Sequence, residues 1–146
     1  MSGTYNNDFS LGNDCRVVLI LGSLGRLDFS HVIGFAANQL VKKLRVPVLN
    51  YPPLGRDIPA GWEGSFDVER ANSVVDAMSV TLEAVFWNGQ RLPTGQLYQY
   101  LNEVDGSVST YLFEGVTVNL RSAGTFHQEQ TVKQTVEFFA RRRVRQ

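Results

Sequence analysis

The chain has 146 residues, of which 43% are hydrophobic and 19% are charged, and this predicts one globular domain with a core of its own. Its fourteen basic and fourteen acidic residues cancel, so no overall charge favours a nucleic acid or a membrane surface as partner. The single cysteine, Cys15, excludes an internal disulfide and a cysteine-based metal site. No run approaches the ~20 apolar residues of a membrane-spanning helix, so we expect synthesis and folding in the cytoplasm and no membrane binding by this chain alone.

Composition divides the chain into three parts. Residues 1–13 are mostly polar, which predicts a flexible N-terminal arm. Residues 14–140 carry the predicted β domain. Residues 141–146 form a basic tail that is either solvated or in contact with another subunit, and a nucleic-acid site is the less favoured alternative; its arginines are Arg141, Arg142, Arg143 and Arg145.

The first predicted strand runs from Asp14 to Gly22 and is almost continuously apolar, which is typical of a strand buried on both faces. The glycines of the following segment, residues 22–25, indicate a turn and not a phosphate-binding loop, because a second strand comes next. That second strand extends from His31 to Val46 and ends in a basic stretch.

A proline-rich segment follows, from Pro47 to Gly61, and contains four of the five prolines. Proline lacks the N–H group that a sheet ladder needs, so a long inter-strand loop is predicted here instead of a strand. The apolar residues of this loop argue against disorder and leave two alternatives: the loop folds back on its own domain, or it contacts a neighbouring molecule. The second alternative predicts a subunit interface that comprises Lys42, Lys43, Leu49, Tyr51, Leu54 and Arg56.

Strict alternation from Gly61 to Arg70 predicts a half-buried strand with its apolar residues on one face and three carboxylates on the other. Two carboxylates on one strand are also compatible with glycosidase chemistry, but nothing in the sequence marks either as buried or perturbed. A helix is predicted from Ser73 to Trp87, capped by Asn72 or Ser73 and ended by Gly89.

The last third of the chain predicts extended structure. A strand from Gln96 to Val104 leads into a long hairpin, whose first strand carries the alternation Leu112 to Leu120 and whose second strand runs from Thr125 to Phe139. The second strand would extend about 50 Å at ~3.3 Å per residue, well beyond an ordinary strand. Its polar face is either solvated or an assembly surface.

Sequence signatures of catalysis and metal binding are absent. Neither His31 nor His127 has a Cys, Asp or Glu partner at ligand spacing, and the chain has no nucleophile elbow, Walker loop or dinucleotide-binding fingerprint. We therefore expect no enzyme activity and no cofactor.

The order of these elements resembles the tail tube proteins of contractile-tailed phages over residues 15–140. The segments that carry the resemblance are Gly61-Trp62-Glu63-Gly64 and Phe113 to Leu120. The resemblance implies a mainly β (α+β) fold, an antiparallel β-barrel or sandwich with one flanking α-helix, shared with baseplate tube-initiator proteins and type VI secretion tubes.

The same resemblance implies a structural virion protein. Its expected assembly is a hexameric ring, stacked into the inner tube of a contractile tail, with sheath protein outside, baseplate and terminator proteins at the ends, and phage DNA passing through without specific binding. The alternatives are a baseplate tube-initiator or hub-proximal ring protein and, from a different class, a monomeric β-sandwich binding module.

If the sheets of such a ring surround a pore, the polar faces of the long strands line it. The predicted lining residues are Glu63, Ser65, Asp67, Glu69, Thr117, Asn119, Glu129, Thr131 and Lys133. Because acids outnumber bases among them, the channel is expected to be net negative and to leave DNA unbound. Alternatively, these faces meet bulk water.

Overall fold

The computed structural model describes residues 15–29 and 32–146, and in this part of the chain eight strands and one α-helix form. The predicted N-terminal arm and His31 lie outside the described residues. The strands are β1 (Cys15–Leu21), β2 (Gly25–Asp28), β3 (Val32–Val48), β4 (Tyr51–Glu69), β5 (Gly95–Asn102), β6 (Val108–Ser122), β7 (Lys133–Ala140) and β8 (Arg142–Arg145); the helix is α1 (Val74–Trp87).

All strand pairs are antiparallel, and the strand order is β2-β1-β5-β6-β7-β4-β3, with β8 also beside β6. Strand β6 belongs to both halves of this sheet, because residues 108–116 pair with β5 and residues 117–122 pair with β7. The partner changes two residues after a bulge at Gly115, whose φ of +63° is unfavourable for a side-chain-bearing residue. The sheet does not close into a barrel, because β2 and β3 form its two ends.

The core lies between the two halves and is closed by the helix. Residues such as Leu19, Leu97 and Phe113 enter it from one half-sheet, and Phe66 and Val136 enter it from the other. Helix α1 contributes its buried residues Val75, Met78 and Leu82. The predicted mainly β fold with one flanking helix is therefore confirmed, in its sandwich form.

The proline-rich segment is not a loop, and the prediction on this point is wrong. Strands β3 and β4 form one long hairpin whose two-residue turn contains Asn50 at φ 68°. Pro47 lies at a bulge between Val46 and Val48. Pro52, Pro53 and Pro59 lie in a part of β4 that pairs only with β3, so one side of the strand needs no ladder hydrogen bonds.

The predicted long strand from Thr125 to Phe139 is also wrong in its first half. Strand β7 begins at Lys133, and residues 123–132 form a loop. Within this loop Gln130 donates a backbone hydrogen bond to His127, and Glu129 has a φ of 65°, a turn geometry that extended structure does not allow. Phe126 is consequently exposed instead of packed.

The helix prediction is confirmed to within one residue. Its start is capped by Asn72, whose side-chain oxygen accepts a hydrogen bond from the Val74 N–H, while Ser73 makes no side-chain cap. Gly89 follows its end at φ 75°. Among the described residues, no helix is long and apolar enough to cross a membrane.

Candidate assembly surfaces

One face of the sheet is polar and acidic. It belongs to the acidic half-sheet, which we define as residues 32–39 of β3, residues 62–69 of β4, β7 and residues 117–122 of β6. Register places Asn38, Glu63, Phe139 and Thr117 in one row across this face. The next rows contain Ala36, Ser65, Glu137 and Asn119, then Gly34, Asp67, Thr135 and Ser122, and finally Glu69 with Lys133.

The structure therefore unites three polar patterns that lie far apart in the sequence. Ser65, Asp67 and Glu69 come from one strand, Thr117 and Asn119 from another, and Lys133 and Thr135 from a third. Glu129 and Thr131 do not join them, because both lie in the loop of residues 123–132. The predicted set omitted two charged residues that lie on this face, Arg121 and Glu137. Glu137 could have been predicted from the sequence, because it alternates with Lys133 and Thr135 along the same strand.

Polar contacts hold the middle of this face. The Thr135 hydroxyl donates to an Asp67 carboxylate oxygen at 2.7 Å, and the Lys133 ammonium lies 3.8 Å from the other oxygen. Arg121 pairs with Glu137 at 3.3 Å. Glu63 and Glu69 have no ion-pair partner among the described residues. The face is net negative, because it carries four carboxylates and two cations: Glu63, Asp67, Glu69 and Glu137 against Arg121 and Lys133.

The acidic half-sheet has two open edges. Among the described residues, those from 117 to 122 of β6 pair only with β7, because the β5 ladder ends at Val116. In residues 15–29 and 32–146, strand β3 has β4 as its only pairing partner. Within the described part of the chain neither edge has a further strand beside it, and an edge of this kind is a template for pairing with another chain.

The hairpin of β3 and β4 extends beyond the acidic half-sheet as a two-stranded ribbon, residues 41–59. The β4–β7 ladder begins only at Trp62, so the ribbon projects about 25 Å, the length of its β3 residues 41–48. Its tip exposes Leu49 (85%), Tyr51 (73%) and Leu54 (61%). The predicted interface residues Lys42, Lys43 and Arg56 are exposed on the same ribbon, so the structure brings all six together.

The basic C-terminal segment is a strand. Strand β8 pairs with residues 111–114 of β6, and the Arg143 guanidinium lies over the rings of Tyr111 at 4.0 Å and Trp62 at 5.1 Å. Arg142 pairs with Glu114 at 3.3 Å. Cation–π attraction of this kind holds the Arg143 side chain against the aromatic rings, so Arg143 packs as part of the fold.

The described residues contain no cluster of three or more His, Cys, Asp or Glu side chains arranged to hold a metal ion. Cys15 is half-buried, and this burial raises the pKa of its thiol, although a hydrogen bond from Gln99 opposes the shift. The thiol therefore stays protonated and weakly reactive at neutral pH.

No protein-family model and no curated protein matches the sequence. The fold does match solved structures. A chain of the sheath–tube complex of an extracellular contractile injection system (PVC) in the extended state aligns with a TM-score of 0.59 and 8% identity, over 100% of this chain and 97% of that chain. A chain of the anti-feeding prophage (AFP) baseplate aligns at 0.60 with 11% identity, over the same shares.

A third match comes from the sheath/tube terminator structure of the PVC system, with a TM-score of 0.56 and 11% identity over 90% of this chain and 93% of that chain. At these identities the comparison establishes the fold. The predicted likeness to contractile-tail components is confirmed at that level: the chain has the fold found in the sheath–tube, terminator and baseplate assemblies of contractile injection systems.

Proposed function

We propose that this chain is a tube protein of a contractile tail, which assembles into hexameric rings that stack around a channel. The observation that carries the proposal is the acidic half-sheet, a four-stranded surface with two open edges and one polar face. The matches to sheath–tube and baseplate assemblies support a structural role of this kind.

The strand directions suit ring closure. Four antiparallel strands place β3 and β6 in opposite directions at the two ends of the acidic half-sheet. If copies are related by rotation about an axis near the strand direction, β3 of one copy meets β6 of the next in antiparallel orientation. A repeated contact of this head-to-tail type closes into a ring, and closure pairs every open edge of these half-sheets. The resemblance to tail tube proteins supplies the expected number of six.

In such a ring the acidic face lines the channel, because its opposite face is buried in the core. A net negative wall does not retain DNA, since binding of phosphates requires cations that displace counterions. The channel therefore suits the passage of phage DNA without specific binding. Sheath protein outside the tube and baseplate and terminator proteins at its ends are the proposed partners, and the assembled contractile tail is the proposed location.

The ribbon is a second proposed contact between subunits, beside the pairing of β3 with β6. A two-stranded hairpin is marginally stable alone in water, and this one carries exposed apolar side chains at its tip. Contact with another subunit would cover both strands and place the cations Lys42, Lys43 and Arg56 at the interface.

A second candidate is a baseplate ring protein of the same fold. The baseplate match, with a TM-score of 0.60, is as good as the sheath–tube match of 0.59, and it favours this candidate equally. The two candidates differ in extent of assembly, since a tube protein polymerises into stacked rings and a baseplate protein stops at one or a few.

Electron microscopy of the purified protein, combined with size-exclusion chromatography over a range of concentrations, tests the proposal. Six-fold rings that stack into tubes support the tube protein, and six-fold rings that never stack support the baseplate candidate. A chain that stays monomeric at high concentration contradicts both and favours a monomeric binding module.

A further inference from the structure

An apolar groove of about 290 Å³ lies beside the open edge of β6, on the core side of the acidic half-sheet. Its walls are the last two turns of α1, Leu92 and the core-facing side chains of β6. The apolar lining residues are Leu82, Phe86, Trp87, Leu92, Val118 and Leu120.

This groove brings several exposed apolar side chains together. Trp87 is 74% exposed, Phe86 56% and Leu92 42%. Val118 and Leu120 pack against the core but are only partly buried, because no strand that the structure describes lies beside β6 on this side. Contiguous exposed apolar surface of this kind marks a binding surface.

The position of the groove determines what fills it. A strand that pairs with the open edge of β6 lies about 4.8 Å away, and alternate side chains of that strand point to the core side of the sheet. Those side chains enter the groove, since Val118 and Leu120 line it from the same side. Edge pairing and filling of the groove are therefore one event.

Strand β3 fits this place better than the other open strands. It has 17 residues and exposes Ile33 (53%) and Val41 (37%), whereas β2 and β8 have four residues each. The charges beside the groove also favour β3. The groove contains Glu83, and Lys42 and Lys43 directly follow Val41.

We propose that this groove binds β3 of a second copy of the chain, so that the last turns of α1 cross the seam between two subunits of the ring. This inference rests on the proposed function and deepens it. It assigns to Phe86, Trp87 and Leu92 the role of covering the neighbouring β3, and it separates this lateral contact from the contact made by the tip of the ribbon.

Cross-linking between two variants tests the occupant of the groove. All variants carry Cys15→Ser; one has Leu92→Cys, and the others have Ile33→Cys, Val41→Cys or Leu49→Cys. Each of the last three is mixed with the Leu92→Cys protein, assembled and treated with a short bis-maleimide. We expect cross-linked dimers with Ile33→Cys or Val41→Cys and at most a trace with Leu49→Cys. Dimers with Leu49→Cys alone, or no dimers in assembled material, would overturn the inference.

A charge placed in the groove gives an independent readout. Phe86→Asp should abolish rings while circular dichroism and monomer solubility stay normal, because Phe86 is already exposed in the monomer. Val80→Asp is the matched control, since Val80 lies on the same helix, is 67% exposed and does not line the groove. Rings of Phe86→Asp at wild-type yield would refute the inference and leave the proposed function intact. A wild-type chain that forms no rings would overturn both.

Discussion

At the scale of single residues, close backbone contacts decide which side chains the sheet tolerates, and Gly95 is the tightest position. A Cβ atom built there would overlap the carbonyl oxygen of Ile20 on the neighbouring strand. Gly55, on the ribbon, offers a contrast, because its Cβ would meet only the flexible end of Arg45 at 3.1 Å.

We therefore expect Gly95→Ala to destabilise the fold by about 3 kcal/mol, since the backbone of β1 or β5 must move to relieve the overlap. Gly55→Ala should change stability by less than ~0.5 kcal/mol, as for an ordinary exposed substitution. Urea unfolding followed by circular dichroism measures both. Equal stability of the two variants would contradict the packing of β5 on β1.

Gln134 connects three elements from a fully buried position. Its side-chain amide donates to an Asp76 carboxylate oxygen at 2.8 Å and to the Ala123 carbonyl oxygen at 3.1 Å. Asp76 also accepts a hydrogen bond from Arg70 at 2.9 Å, so the first turn of α1 is tied to β7 and to the end of β4.

Replacement of Gln134 by Met should cost about 1–3 kcal/mol, because the Ala123 carbonyl and one Asp76 oxygen lose their buried donor. Arg70→Ala is the comparison, and about 0–1 kcal/mol is expected because that ion pair is one-third exposed. Thermal unfolding of the two variants decides the order. A larger loss for Arg70→Ala would show that the exposed pair, and not the buried amide, holds the helix start.

At the scale of secondary structure elements, the ribbon of residues 41–59 and helix α1 have different tasks. Among the described residues, the two strands of the ribbon pair only with each other, so the core does not depend on the ribbon. The helix closes the core with Val75, Met78 and Leu82. Removal of the ribbon should therefore affect assembly, and damage to the buried face of the helix should affect stability.

A shortened ribbon tests the first statement. Excision of residues 44–56 with an Asn-Gly turn inserted between the paired residues Lys43 and Asp57 keeps the hairpin register. We expect a soluble monomer with an unchanged melting temperature and no stacked rings in electron micrographs. Tubes of normal length from this variant would contradict the role of the ribbon.

A truncated core side chain tests the second statement. Leu82→Ala removes a buried side chain of α1 and should cost about 2–5 kcal/mol through the cavity it leaves. Val80→Ala, on the exposed side of the same helix, should cost less than ~0.5 kcal/mol. Denaturant unfolding compares them, and an unchanged midpoint for Leu82→Ala would mean that the buried face of α1 is assigned incorrectly.

At the scale of the whole molecule, the acidic half-sheet turns one face to the core and the other to the proposed channel. Ser65 lies in the middle of the polar face, and Val80 lies on the outer side of the helix. In the isolated chain Ser65 is partly exposed and Val80 is exposed, so both can react with reagents in solution. In a stacked tube only one of them should remain so.

Single cysteines at these two positions distinguish channel from exterior. In a Cys15→Ser background, Ser65→Cys and Val80→Cys should react at similar rates with a maleimide on a large polymer when the protein is monomeric. After assembly we expect Val80→Cys to keep its rate and Ser65→Cys to slow at least tenfold, because the polymer cannot enter the bore. Fast labelling of Ser65→Cys in intact tubes would place the acidic face on the exterior.

Local sequence patterns determined which faces of several strands and of the helix are buried. The alternation from Gly61 to Arg70 and the spacing within α1 predicted the buried faces of a strand and a helix, because side-chain direction in each follows from backbone geometry alone. The same alternation predicted the face that carries Glu63, Ser65, Asp67 and Glu69.

Only the tertiary structure decided how these pieces meet. The prolines of the ribbon are tolerated because β4 has an unpaired side there, and no local pattern reveals which strand side lacks a partner. Likewise, polar residues alternate through 125–132 as they would in a strand, yet the backbone forms a turn at Glu129. Strand pairing depends on residues far apart in the chain, so the open edges of β3 and β6, and the groove beside them, emerge only when the sheet is complete.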